Sequence, residues 1–222
     1  MWQTFLSSLF PLRCFGCGLI IPSHQKYLCE KCLGRMPYTH WRLDSENCMY
    51  EKINSLVNIE SASALLFFDK DNLTQKLIHF LKYKNYPELG AWMADLWFEN
   101  NKNQIFLKDI KSVVPVPIHR KRLKLRGYNQ VVPCAQRLAH LLNCEYNDST
   151  LERTLHKKSQ TMLNKFDRIA KMKNTFTRIN NHSSHYLIVD DVFTTGSTIV
   201  SCAEELLKNP QSKVSVFTLA IA

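Results

Sequence analysis

Four cysteines stand as two C-x2-C pairs, Cys14/Cys17 and Cys29/Cys32, with eleven residues between the pairs. Each pair turns two thiolates inward from one backbone knuckle, and two knuckles complete a tetrahedron around a structural Zn²⁺. Two disulfides or a redox C-x-x-C are the alternatives for such spacing. The first ten residues lack a basic stretch followed by an unbroken apolar core, so no secretory signal is expected. A reducing compartment then favours metal over disulfides. Gly16, Gly18 and Gly34 flank the knuckles and are expected to supply positive φ and close backbone approach. Cys48, Cys134, Cys144 and Cys202 have no pair spacing; Cys134 and Cys202 lie in apolar-periodic segments and read as small core residues.

A second constellation runs from Tyr186 to Thr198, Y-L-I-V-D-D-V-F-T-T-G-S-T. An apolar strand ends in two carboxylates, Asp190 and Asp191, and a turn of Thr194, Thr195, Gly196, Ser197 and Thr198 enters a helix. Such a turn aims backbone N–H groups and hydroxyls at one spot on a helix N-terminus, which suits a phosphate. Two carboxylates beside it suit the vicinal hydroxyls of a ribose. Phosphate and diol are then spaced as in a ribose 5-phosphate, at the carboxyl end of a strand.

The charge is concentrated. The 222-residue chain carries 29 Lys and Arg against 19 Asp and Glu. Residues 111–180 hold fifteen of those cations and four of those anions, more than the whole net excess of +10. That field favours a polyanionic partner, nucleic acid or a phosphorylated small molecule, against the plainer reading of a solvated surface. Arg120, Lys121, Arg122, Lys124 and Arg126 crowd into seven positions after a strand end. They are expected to form a loop that borders a pyrophosphate site and extends into a nucleic-acid track. Tyr128 and Phe166 are candidates to stack bases there, with core packing as the alternative.

Positioning these groups requires strands that end beside helices. Apolar strands are expected at 63–68, 110–117, 186–189 and 213–221, and amphipathic helices at 73–84, from Pro87, at 127–142 and at 196–207. That alternation predicts an α/β fold with a parallel sheet flanked by helices. Residues 1–40 read as a zinc lobe with an N-terminal helix, 41–60 as an irregular connector and 61–222 as the main domain. At 45% apolar the chain can build a core, and no run of about 18 apolar residues occurs, so no membrane insertion is expected. Neither G-x-G-x-x-G nor the P-loop pattern is present, which argues against the commonest dinucleotide and nucleoside-triphosphate loops.

The 186–198 segment resembles the phosphoribosyl-pyrophosphate (PRPP) signature of type I phosphoribosyltransferases. Val114-Pro115-Val116-Pro117, Arg126-Gly127-Tyr128-Asn129-Gln130, Arg153-Thr154, Gln160, Arg168 and Asn174-Thr175-Phe176 narrow the likeness to the ComF/GntX family. The resemblance implies a phosphoribosyltransferase-like domain behind an N-terminal zinc ribbon. It implies that Asp190 and Asp191 hold the ribose hydroxyls, that 194–198 wrap the 5′-phosphate, and that Mg²⁺ accompanies PRPP. Lys158 and Arg168, with Arg153, Lys157 and Lys165, would belong to a mobile loop over the site. The implied role is natural transformation in the cytoplasm, with single-stranded DNA and competence-machinery proteins as partners. Phosphoribosyl transfer to an unidentified acceptor, in nucleotide or sugar-phosphate metabolism, is the alternative. No catalytic residue is assigned, because Thr194 stands where purine-type enzymes carry an acidic base. Glu51 stands where many relatives complete a further C-x2-C with the equivalent of Cys48.

Overall fold

The computed structural model describes residues 11–70, 72–154, 175–180, 182 and 184–222. The expected N-terminal helix, Lys157, Lys158, Gln160, Lys165, Phe166, Arg168 and Asn174 lie outside the described residues.

Five parallel strands form the main sheet: β1 (Ser61–Phe67), β2 (Ser112–Pro115), β3 (Glu145–Tyr146), β6 (His185–Phe193) and β7 (Lys213–Ile221). Their spatial order is β1-β7-β6-β2-β3. A second, antiparallel pair joins β4 (Leu151–Arg153) to β5 (Phe176–Arg178). Helices α3 (Leu73–Tyr83), α4 (Glu88–Asn101) and α6 (Val132–Leu141) bury Leu77, Met93 and Leu138 with Leu187 and Val189 on one side of the sheet. Helices α2 (Cys48–Asn54) and α7 (Ser197–Leu206) bury Met49, Ile53, Cys202 and Leu206 with Ile188 and Val216 on the other. The strands are apolar on both faces because both faces are covered. This is the α/β architecture that the alternation predicts.

Three elements differ from expectation. The polar 41–60 stretch is not irregular throughout: Asn47 caps α2, its Oδ1 accepting from the Tyr50 N–H at 3.0 Å. Met49 and Ile53, one turn apart, are fully buried. The basic run is helical, not a loop: α5 spans Arg120–Arg126, and Gly127 ends it in the left-handed region at φ 80°. The helix expected from residue 127 therefore begins only at Val132. Strand β6 also runs past the two carboxylates to Phe193, hydrogen-bonded to β7 throughout.

The sheet creates a crevice by its connectivity. From β2 the chain crosses through α6 to β3 on one side; from β6 it crosses through α7 to β7 on the other. Connections that diverge from neighbouring strands leave a gap at their carboxyl ends. Strand β2 stops at Pro115, paired with Val189, so Asp190 and Asp191 project beyond it into that gap.

Candidate functional site

Successive side chains on a strand point to opposite faces, and Asp190 and Asp191 do so. Asp191 follows Leu187 and Val189 toward the α3–α4–α6 layer. It is 7% exposed, with Lys82 Nζ 3.0 Å from Oδ1 and Gln130 Nε2 donating to Oδ2 at 2.5 Å. Gln130 is itself held by Arg126, whose Nη1 donates to Oε1 at 2.7 Å. Asp190 follows Ile188 toward the α7 layer, and its Oδ1 accepts from the Asp191 N–H at 2.8 Å. Burial, then the neighbouring Asp191 charge, push the Asp190 carboxyl up to about 7. The Asp191 N–H, Lys82 and Arg153 pull the other way without winning.

A cavity of about 150 Å³ opens over the pair, and Lys82, His119, Arg122, Gln130 and Arg153 also line it. Asp190, Val192 and Thr198 line in addition a smaller hollow walled by Thr194, Thr195, Gly196 and Ser197, so the two spaces adjoin. Gly196 has φ 78°, and a Cβ there would sit 2.9 Å from the Phe193 ring; both facts demand glycine. Among the described residues no side chain caps α7, so the N–H groups of its first turn are open to an anion. The structure brings together the carboxylates, the 194–198 turn, Arg122 and Arg153. Arg153 stands on strand β4 rather than in a loop. Its guanidinium lies 5.3 Å from the Phe176 ring, and burial, then Arg122, lower its pKa.

The rest of the basic run divides. Arg120 pairs with Glu152 at 3.3 Å on the surface. Lys121 and Lys124 are exposed. Arg126 faces inward, to Gln130 and over the Tyr83 ring at 5.0 Å, and so supports the site from behind. Tyr128 is packed: its hydroxyl donates to the Leu81 carbonyl at 2.6 Å. The exposed ring beside α5 is Tyr83. Lys82 is the site residue that spacing does not reveal. It is one lysine among several on an amphipathic helix, and only the register of α3 against β6 singles it out.

The four knuckle sulfurs, Cys14, Cys17, Cys29 and Cys32, lie within 4.8 Å of one another. Zn–S bonds of about 2.3 Å would place tetrahedral sulfurs about 3.8 Å apart, and Cys17 Sγ stands 3.8 Å from Cys29 Sγ. Burial pushes the Cys14 thiol up, but N–H groups of Cys29, Cys17 and Gly16 outweigh it and bring the thiol to about 6. Cys32 is pushed up to about 12 by burial and by the other three cysteines. Four sulfurs this close cannot all ionise without a cation, and the all-sulfur donor set fits zinc. A Cβ on Gly16 would meet Cys32 Sγ at 2.8 Å, so that glycine is required for close approach. Gly34, at the C-cap of the short helix α1 (Glu30–Leu33), has in contrast ordinary helical backbone at φ −69°. Cys48 is exposed at the start of α2, and Cys134 and Cys202 are fully buried.

Competence protein F of Haemophilus influenzae is 30% identical over 153 residues, covering 66% of this chain and 67% of that protein. The chain belongs to the ComF family. Competence protein ComFC of Bacillus subtilis matches this ComF-family chain at 25% identity over 214 residues, 93% of this chain and 82% of that one. The DNA utilization protein YhgH of Salmonella typhimurium is 33% identical over 147 residues, and the match spans 65% of its length. No protein-family model matches the chain. Among solved structures, adenine phosphoribosyltransferase of Leishmania tarentolae superposes with a TM-score of 0.37 at 12% identity, over 81% of this chain and 90% of that one. No helix among the described residues is long and apolar enough to cross a membrane.

Protein purified without chelator should carry one zinc per chain by elemental analysis, and Cys29→Ser should carry none. Two zincs in the wild type, or none, contradict the assignment.

Proposed function

We propose that this ComF-family chain binds PRPP with Mg²⁺ at the crevice between β2 and β6, and handles single-stranded DNA in natural transformation. One observation carries the reading: two adjoining hollows, which share Asp190, Val192 and Thr198, meet a carboxylate pair, the N-terminus of α7 and arginines. A phosphate fits the 194–198 turn and the first turn of α7. The ribose diol fits the lone pairs of Asp190 and Asp191. The pyrophosphate fits the cationic wall of Arg122 and Arg153. The carboxylate oxygens suit a hard cation such as Mg²⁺, which would offset charge between ribose and pyrophosphate. Lys158 and Arg168 complete the anion-binding set in this reading.

The DNA part of the proposal rests on the 111–180 charge and on α5. Exposed Lys121 and Lys124 are three residues apart and share a face of the helix. They lie outside the cavity lining, so the two ligands can be tested apart. Contacts to backbone phosphates would be indifferent to sequence.

By titration calorimetry, PRPP with Mg²⁺ should bind the wild type, and Asp190→Asn/Asp191→Asn should weaken it by about tenfold or more. Each hydrogen bond to a charged acceptor contributes about 1.5–3 kcal/mol. Equal affinity in the double variant would overturn the ribose assignment. Salt titrations with single-stranded DNA should show Lys121→Ala/Lys124→Ala flattening the slope of log affinity against log salt by ~1.4, at about 0.7 per phosphate contact. An unchanged slope would remove α5 from the DNA track.

A further inference from the structure

The cysteine knuckle does not hang free of the site. It grips α3 along one face. The Phe15 and Phe80 rings stack with centroids 4.0 Å apart, and Lys76 Nζ donates to the Gly16 carbonyl at 2.8 Å. An ideal Cβ on Gly16 would meet Leu73 Cδ1 at 3.0 Å, so backbone and helix are in close contact. Leu73, Lys76 and Phe80 recur at three and four residues, the spacing of a single helix face. Tyr86, just past the helix, closes on both Phe15 and Phe80 at 4.9 and 5.8 Å.

The other end of the same helix reaches the cavity. Lys82 lies two residues beyond Phe80, and its ammonium meets Asp191 with only 20% of its side chain exposed. Its neighbours are anchored to the 126–130 segment: the Leu81 carbonyl accepts from Tyr128, and the Tyr83 ring lies under Arg126. An ammonium has three donors. Among the described residues, Asp191 is the one ion-pair partner of Lys82.

We propose that the zinc knuckle braces the ligand site: by clamping α3 through Phe15 and Gly16 it holds Lys82 against Asp191, and the charge of Lys82 favours a ligand bearing pyrophosphate over one bearing a single phosphate. This rests on the PRPP reading of the cavity. The 5′-phosphate is served by the first turn of α7, away from Lys82. The second anionic group is served by the cationic wall, where Lys82 joins Arg122 and Arg153. Lys82 is thus a positioning residue for the carboxylate and a charge partner for pyrophosphate, and the knuckle acts through it.

The test is a double-mutant cycle read by calorimetry with two ligands, PRPP with Mg²⁺ and ribose 5-phosphate. Lys82→Gln retains a donor for Asp191 and loses the charge. It should weaken PRPP by about tenfold, the worth of one charge-assisted bond, while ribose 5-phosphate changes little. Phe15→Ala should weaken PRPP by roughly three- to tenfold, as residues coupled through a shared backbone shift do, and should add nothing in the Lys82→Gln background. Lys76→Met, which removes a knuckle contact without touching a cysteine, should act in the same direction as Phe15→Ala. Zinc content is measured alongside; a Phe15→Ala protein that sheds its metal has lost the brace completely and must still show no added effect without Lys82. Fully additive losses, equal losses for both ligands, or no loss in Phe15→Ala overturn the brace and leave the PRPP site standing. Failure of the wild type to bind PRPP overturns both.

Discussion

Two carboxylates side by side on one strand, at the centre of a sheet covered on both faces, are the constraint around which this molecule is arranged. Adjacent like charges in a place short of water disfavour each other's ionisation. The fold answers asymmetrically. Asp191 receives a lysine and an amide, and that amide is in turn fixed by Arg126. Among the described residues, Asp190 accepts one hydrogen bond, from a backbone N–H, and its carboxyl remains pushed up to about 7. A pair chosen for stability alone would not be left half-satisfied beside an open cavity. A diol and a cation would complete what the protein leaves incomplete.

Much else follows from serving that pair. Strand β2 ends early, which exposes both carboxylates to the crevice, while β6 continues along β7 and keeps their backbone rigid. Helix α3 presents Lys82 to Asp191, and the Phe15 ring of the cysteine knuckle stacks on Phe80 of the same helix. The knuckle packs its Phe15 ring and its Gly16 carbonyl against α3. Helix α5 contributes twice, Arg126 behind the carboxylates and Arg122 in front of them.

The legible parts of this molecule are those where one residue type at one spacing has few alternatives. The C-x2-C pairs and the D-D-x-x-T-T-G-S-T segment are of that kind, and the four knuckle sulfurs stand together as their spacing predicts. Helix α5 was obscured because five like charges read as a repelling loop. Its composition of Arg, Lys and Leu favours helix, and Gly127 marks its end. Helix α2 hid in a polar stretch whose helical signal is only Asn47 followed by Met49 and Ile53. Lys82, Gln130 and the inward turn of Arg126 depend on how α3 and α5 pack against β6. Such long-range contacts leave no local pattern to read.

The central claim is that the carboxylate pair is held against the preference of the fold. Its most direct test is the stability of wild type and Asp190→Asn across pH, by denaturant unfolding. A carboxyl at about 7 in the folded chain titrates near 4 when unfolded. Between those values the folded state holds the extra proton, so Asp190 should lower stability as pH rises from about 4 to about 7, with no further loss above. The amide cannot titrate. Asp190→Asn should therefore gain stability relative to wild type across that window and keep a constant advantage at higher pH. A difference between the two proteins that does not change from pH 4 to 8 would contradict the account.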